Sequence, residues 1–453
     1  MVIKEIKRKI QSTSLTNVLK ISSGTIGGQL ISMIGAPIYT RLFGASVLGT
    51  WALFSSIAII ITSFSDVGLK NAIMIEDNEK TEELYTVIST LTFFISCIAG
   101  IICGAISSFG KLDTGMNPII TGLIVWLISF TISQTDVCYA WLNKMGEYNV
   151  LMKNPLINNG VAAVLAIIFG LLGFKSYGYY LATIVGQVVT LLHMKKQLPT
   201  AFFNFNTRTY KRILREKKEF YYYQMPANFL GQFKEQIPVM LISRFFGTEV
   251  LGYYSVSIKY LKMPVTFLAQ SIGKVFLKNV SELFREHKAV GEYTLKNISR
   301  AMNLAVIPMI CIYAFGDLAC TILFGNDFSE SGTILRLVAS NSYFLFMLTS
   351  CQGLSVVLSK QKYQMLVGIA QIIGYTVGLS FGYYVFNSVY IGCFCMSVIY
   401  AVIQIVFFCA LFEAANIRFT RYLRKVFVNI IVIAIGAAVI RIPLILLGVV
   451  GGV

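Results

Sequence analysis

Charge is what this 453-residue sequence has least of: Asp, Glu, Lys and Arg together make up 13%, against 56% hydrophobic residues, and the mean hydropathy is +0.70. So little polar surface cannot clothe a soluble protein of this size, which excludes a soluble globular chain. Histidine is nearly absent. His193 and His287, the only two, fall at a helix end and in a charged loop, so no histidine metal site can be built from them alone. The nine cysteines lack metal-like spacing and all lie in apolar runs, where they read as small buried hydrophobes. A cleavable leader is not expected either. The start MVIKEIKRKIQSTSL is basic but too amphipathic for a secretory signal, and no small-residue cleavage site follows Val18, so the first apolar segment is expected to be retained.

What the sequence does contain is apolar runs, each about 20 residues and long enough to cross a hydrocarbon core. They fall near 18–39, 47–67, 86–108, 117–139, 155–173 and 177–194, then near 221–243, 250–276, 301–323, 333–357, 363–385 and 388–411. A further stretch, 426–450, is interrupted by Arg441 and Pro443. Backbone polar groups in lipid must be satisfied within the segment, and runs of this length do so as helices. The expected fold is therefore an all-α integral membrane protein with twelve transmembrane helices, or thirteen if 426–450 crosses. The corresponding divisions are a cytoplasmic amphipathic start at 1–17, six spans in 18–194, a basic linker at 195–220, six spans in 221–412, and a basic loop with an extra apolar segment in 413–453.

Lys and Arg orient the chain. With the amino terminus placed in the cytoplasm, 28 of them fall on inside segments, while the outside holds only Arg41, Lys111, Lys175 and Arg244. That excess puts the start inside. It also accounts for the net charge of +17, because a cytoplasmic basic surface faces anionic lipid and no nucleic acid is needed.

One phrase occurs twice. RLFGASVLGTW begins at position 41 and RFFGTEVLGYY at position 244, and Gly28-Gln29 recurs at the same 203-residue offset as Gly231-Gln232. Each copy falls between the first and second spans of its half, at an external turn. Gly44 or Gly247 is expected to supply the backbone freedom that ends the first helix, Ser46 or Thr248 to cap the next, and Arg41 or Arg244 to snorkel at the outer interface. An even number of spans separates the copies, so both halves enter the membrane in the same direction. Parallel repeats of this kind form two lobes around a central cavity, and a transporter keeps its path at their interface.

Charges inside spans are costly and mark pathways more often than loop charges do. The seventh span carries Lys234 and Glu235, and the eighth carries Lys259, Lys262 and Lys274. Counting about 1.5 Å per residue, Lys234, Lys259 and Lys262 lie roughly 14 to 18 Å from the outer ends of their helices. Lys259 and Lys262, three apart, share a helix face, and Pro264 removes a hydrogen-bond donor beside them, so the helix should bend or open there. The matching positions of the first half, Ser56 and Ile59, are neutral. A cationic patch on one half suits an anionic substrate; the plainer alternative is that the lysines snorkel and that Lys234 and Glu235 point apart. Asp66, near the inner end of the second span, is either a helix-end or a coupling carboxylate. Arg336, at the outer start of the tenth span, reads as interfacial, and the GNDFSES turn, with Asp327 and Glu330, as a capped helix start. The aromatic run EFYYYQMPANF, 219–229, reads as an interfacial belt or as the lining of a sugar path.

The repeated phrase "R-x-F-G-x-x-V-L-G-x-(W/Y)", FSDVGLKNAI after the second span, KVFLKNVSELFREHK leaving the eighth and LFGNDFSES after the ninth resemble, in order and spacing, the polysaccharide flippases. These are the Wzx-type O-antigen translocases of the multidrug/oligosaccharidyl-lipid/polysaccharide exporter superfamily, and the resemblance covers about residues 10 to 412. It implies two lobes that open alternately to either side of the bacterial inner membrane. The implied cargo is an undecaprenyl-diphosphate-linked oligosaccharide, with membrane lipids as surroundings and an O-antigen polymerase and chain-length machinery as partners. It also implies that cationic cavity residues hold the diphosphate, foremost Lys234, Lys259 and Lys262, with Lys274, Arg41 and Arg244 behind them. Glu235 matches the carboxylate often found in the family's seventh span, and Asp66 and Glu235 are the candidates for coupling or gating. No cofactor or metal is implied, and the choice between a proton and a sodium gradient is left open.

Two rivals are weighed against this reading. An ion-coupled drug or cation antiporter of the same superfamily should place carboxylates deep in its cavity, where this chain places lysines. A membrane glycosyltransferase or O-antigen polymerase should carry a sizeable external loop, and here no external loop exceeds roughly a dozen residues by the span lengths.

Overall fold

The computed structural model describes residues 2–110, 114–199 and 202–447. Lys111, read above as an outside charge, and 448–453, at the end of the last apolar stretch, lie outside the described residues. Apolar runs become helices throughout: α1 (Val2–Ser65), α2 (Asn78–Ser108), α3 (Pro118–Met145), α4 (Tyr148–Leu171), α5 (Lys175–Lys195) and the short amphipathic α6 (Thr207–Glu216). They are followed by α7 (Met225–Pro264), α8 (Gln270–Arg285), α9 (Val290–Phe324), α10 (Ser329–Ser350), the single turn α11 (Leu354–Val357), α12 (Gln361–Phe386), α13 (Val389–Ala414) and α14 (Thr420–Leu446).

Among the described residues, eight helical segments are long and apolar enough to cross a membrane: the part of α1 from Lys20, the part of α2 from Lys80, then α3, α4, α9, α12, α13 and α14. The protein is thus a multi-pass membrane protein. The apolar stretch expected near 426–450 is α14, one of the eight. Three further long helices, α5, α7 and α10, fall short on apolarity or charge and stand outside that set.

The chain divides into two compact units, 1–236 and 237–453, with the boundary inside α7. In the first unit α1 packs along α4, α2 along α3, and α4 along α5. Small residues permit the closest of these approaches: a Cβ on Gly28 would lie 2.6 Å from the Pro155 carbonyl oxygen, so α1 and α4 meet backbone to backbone. In the second unit α9 packs on α10 and α14, α10 on α13, and α12 on α13.

The repeated phrase has one backbone signature in both copies. Gly44 adopts φ 75°, ψ 173° and Gly247 adopts φ 87°, ψ 174°, breaking α1 and α7 each into two helical segments. That region of backbone space is open essentially to glycine alone, which is why the phrase keeps its first Gly when neighbouring positions change. Near Pro264, where the helix is expected to bend or open, its geometry changes. The helix does not stop there but passes through a π-helical turn, Val265–Ala269, before α8. Closing i→i+5 bonds absorbs the donor that proline lacks.

Gly44→Ala and Gly247→Ala are each expected to lower stability by about 1–3 kcal/mol. Gly231→Ala, with open space around its Cβ and a helical backbone, should be neutral or slightly stabilising. Melting temperatures of the detergent-solubilised variants check this, and equal effects at all three positions would contradict it.

Candidate functional site

The motif FSDVGLKNAI forms the end of the first unit that follows α1. After α1 ends at Ser65 the chain turns through Gly68 (φ 75°) into a 3-10 helix, Leu69–Met74. Leu69, Ala72 and Ile73 are fully buried among Tyr85, Ile88, Val137 and Leu142, so this short element is a wedge between α2 and α3. Asp66, also buried, organises the turn: its carboxylate accepts from the Gly68 N–H at 3.0 Å and from the Lys70 N–H at 3.4 Å. Lys70 in turn reaches Asp136 of α3, Nζ to Oδ2 2.7 Å. Burial pushes the Asp66 carboxyl above its ordinary value, opposed by Lys70 and the two N–H groups. Burial works against the Lys70 ammonium, but Asp136 outweighs it and the net shift is upward. Asp66 therefore holds the turn that follows α1.

The basic linker is tied to the same end. Lys217 pairs with Glu76 and Arg212 with Glu83, while Lys144 donates to the Glu76 carbonyl and to Thr81. The Lys217 bond holds the Glu76 carboxyl below its usual range. The Gly68 turn abuts the π-helical turn Phe220–Gln224 that opens the aromatic run, and of those rings Tyr222 and Tyr223 are the most exposed.

The expected substrate-binding residues divide between the units. Lys234, half-buried, and Glu235, exposed, lie on the first segment of α7 and belong to the first unit. Lys259 and Lys262, both exposed and three residues apart on one face of the second segment of α7, belong to the second unit, as do exposed Lys274 on α8 and exposed Arg244. Arg41 is exposed in the first unit. Measured along their own helical segments, Lys234 and Lys259 stand roughly 20 and 18 Å from the Gly247 break.

A second charged constellation was only half visible in the sequence. Arg336, read above as interfacial, also has partners within its unit: on α10 it lies against Asp317 of α9 (3.7 Å), and Arg441 of α14 forms a two-point pair with the same carboxylate, at 3.1 and 2.7 Å. All three side chains are less than a fifth exposed. Each was recognisable singly as a charge in an apolar run. The missing signal was that three such charges, each within roughly 8–11 Å of a helix end by residue count, need one another. Polar residues spaced by four along α14 continue the seam: Lys425 donates to Ser299 at 2.7 Å and Asn429 contacts Asn303 and Tyr343 at 3.4 Å. The turn before α10 also differs from expectation. Its N-cap is Phe328, with no side-chain cap bond, and Phe328 is instead buried against Tyr253 and Phe324 while Glu330 sits in the first helical turn.

The fold is shared with solved membrane proteins. The chain superposes on the inward-closed lipid II flippase MurJ with a TM-score of 0.69 (11% identity, covering 94% of this chain and 99% of that one). On an inward-facing multidrug resistance MATE family transporter the TM-score is 0.61 (16% identity, 88% and 99%). Residues 38–333 match the polysaccharide biosynthesis protein family, and the chain belongs to it. It is 20% identical over 321 residues to the succinoglycan biosynthesis transport protein ExoT of Rhizobium meliloti, spanning 70% of this chain and 63% of that protein. It is 21% identical over 335 residues to the probable low-salt glycan biosynthesis flippase Agl15 of Haloferax volcanii, spanning 71% and 67%. The match to ExoT thus spans a little under two thirds of that relative's length.

Two outcomes are expected. Asp66→Ala should destabilise the protein by about 1–3 kcal/mol by stranding buried N–H groups, whereas Asp66→Asn keeps an acceptor. Because the folded Asp66 pKa is raised, its stabilisation is fully present below the unfolded pKa and lost as pH rises through the folded one. The stability of the wild type relative to Asp66→Asn, read from melting at a series of pH values, should therefore decline with rising pH. At the other site, Asp317→Ala leaves two guanidinium groups together and should cost about 3–5 kcal/mol. The Asp317→Ala/Arg441→Ala double variant should lose less than the sum of the singles in a double-mutant cycle of melting free energies.

Proposed function

We propose that this protein is a flippase that carries a lipid-linked oligosaccharide across the membrane of a bacterial cell by alternating access, the carrier being a polyprenyl diphosphate of the undecaprenyl type. The observation that carries the reading is family membership over residues 38–333 on a fold shared along nearly the whole chain with a lipid II flippase. The names of ExoT and Agl15, a transport protein and a probable flippase of glycan biosynthesis, support the same class of cargo.

The physical requirement is simple. A diphosphate with its sugars faces a large barrier in hydrocarbon, so the protein must offer a hydrated, cationic route while the polyprenyl tail stays in lipid. Lys259 and Lys262 supply paired, exposed ammonium groups in the middle of a helical run, and Lys234 and Lys274 extend the cationic set. Lysines attract phosphate as compact charges on flexible stems without a rigid clamp, so the cargo can leave again. Asp66 and Glu235 are the carboxylates through which an ion gradient would bias the cycle, and a polymerase and chain-length machinery would take up the product.

The test is a host strain lacking the protein. It should lose surface polysaccharide and accumulate lipid-linked repeat units facing the cytoplasm, and the wild-type gene should restore both. Lys259→Ala/Lys262→Ala should lower export at least about tenfold, the loss expected for a weakened charge-assisted contact of roughly 1.4 kcal/mol, at unchanged membrane abundance. Loss of polysaccharide with unchanged sidedness of the lipid-linked units would overturn flipping, and export surviving the double substitution with loss of dye efflux would favour an antiporter.

A further inference from the structure

The second unit holds a cavity of about 640 Å³ whose walls come from α9, α10, α13 and α14. It is an elongated groove. Its lining on α14 runs from Ile430 to Ile445, roughly 22 Å at 1.5 Å per residue, which exceeds the roughly 15 Å depth of one leaflet's hydrocarbon. α14 packs on α9 and hardly touches α13, so the groove opens sideways between α13 and α14. Phe394, Val398 and Val402 on one lip and Ile430 and Ile442 on the other are exposed apolar side chains, as they should be where a protein surface meets acyl chains.

One end of this apolar groove is charged. Arg336 and Arg441 both line it, and the only carboxylate paired with them among the described residues is Asp317. Two guanidinium groups against one carboxylate leave a single excess positive charge. Asp317 is engaged by the two-point pair with Arg441, while Arg336 reaches it only at 3.7 Å, and the buried Arg336 Nε has no hydrogen-bond partner among the described residues. A buried guanidinium donor is costly to leave unmet, and Ser340 and Tyr313 add polar atoms beside it on the same wall.

We propose that this groove is a binding site for one acidic phospholipid of the surrounding bilayer, its phosphate on Arg336 and its acyl chains along α14 between α13 and α14. The charge match selects the occupant. A phosphodiester carries one negative charge, equal to the excess at the groove's end, and a zwitterionic lipid offers no net charge there. The site lies wholly within the second unit, apart from the lysines of α7, and does not depend on the transport reading. Its consequence is structural: a bound lipid would fill the gap that separates α14 from α13 and tie α14 to the rest of its unit.

The experiment uses the purified full-length protein, delipidated and then exposed to phosphatidylglycerol or phosphatidylcholine with matched acyl chains, with retained lipid counted by native mass spectrometry. The wild type is expected to retain one phosphatidylglycerol in preference to phosphatidylcholine and to melt at a higher temperature with it. Arg336→Gln should weaken retention about tenfold, the equivalent of one charge-assisted contact, and Arg336→Lys should recover part of it. Ala438→Trp, which fills the groove, should abolish retention while the protein remains monodisperse. Equal retention of the two lipids, undiminished retention by Ala438→Trp, or displacement of phosphatidylglycerol by equimolar undecaprenyl diphosphate would each overturn the assignment.

Discussion

In hydrocarbon a backbone N–H or C=O has no water to turn to, and this constraint shapes every part of the molecule. Helices run long and break only where the sequence supplies a residue able to break them, as at Gly44 and Gly247. Side-chain hydroxyls within the spans turn back on their own helices: Thr62, Thr131, Thr183 and Thr376 each donate to the carbonyl four residues earlier. Some larger polar groups are gathered around shared partners. Gln134 is fully buried yet donates to Tyr85 and Ser89 and accepts from Thr92, and Asp317 is shared by two arginines.

The two units carry the same repeated phrase but use their polar residues differently. The first concentrates them beyond the end of α1, where Asp66, Lys70, Asp136, Glu76 and Lys217 bind the 3-10 wedge and the linker into one block. The second distributes them along α7, α8 and the α9–α14 seam. Even the recurring glycine pair diverges: Gly28 meets the backbone of α4, while Gly231 faces open space. A repeat thus conserves the device that breaks a helix while leaving each half free to take up separate chemistry.

Much of the fold was legible beforehand because hydrophobic length and backbone chemistry are local properties. The apolar runs gave the helices, the repeated phrase located both glycine breaks, and the proline at 264 marked the place where helix geometry changes, though not that it would change to a π turn. The candidate site was legible in a weaker sense. Lys259 and Lys262 share a face by spacing alone, but the pairing of Asp66 with the Gly68 turn, or of Lys70 with Asp136 some sixty residues away, depends on which helices lie side by side.

Arg336 is the clearest case of that limit. A position near a helix start suggests an interface, and only the packing of α9, α10 and α14 brings it to Asp317 and Arg441. By itself, then, the sequence determined a helical membrane protein with two related halves and a cationic bias, since apolar length, glycine placement and the Lys/Arg excess act within a segment. The tertiary structure decided which charges neutralise one another, which line the groove in the second unit, and how the motif after α1 becomes a wedge. Those outcomes rest on contacts between residues far apart in the chain, whose energies arise only when the helices meet.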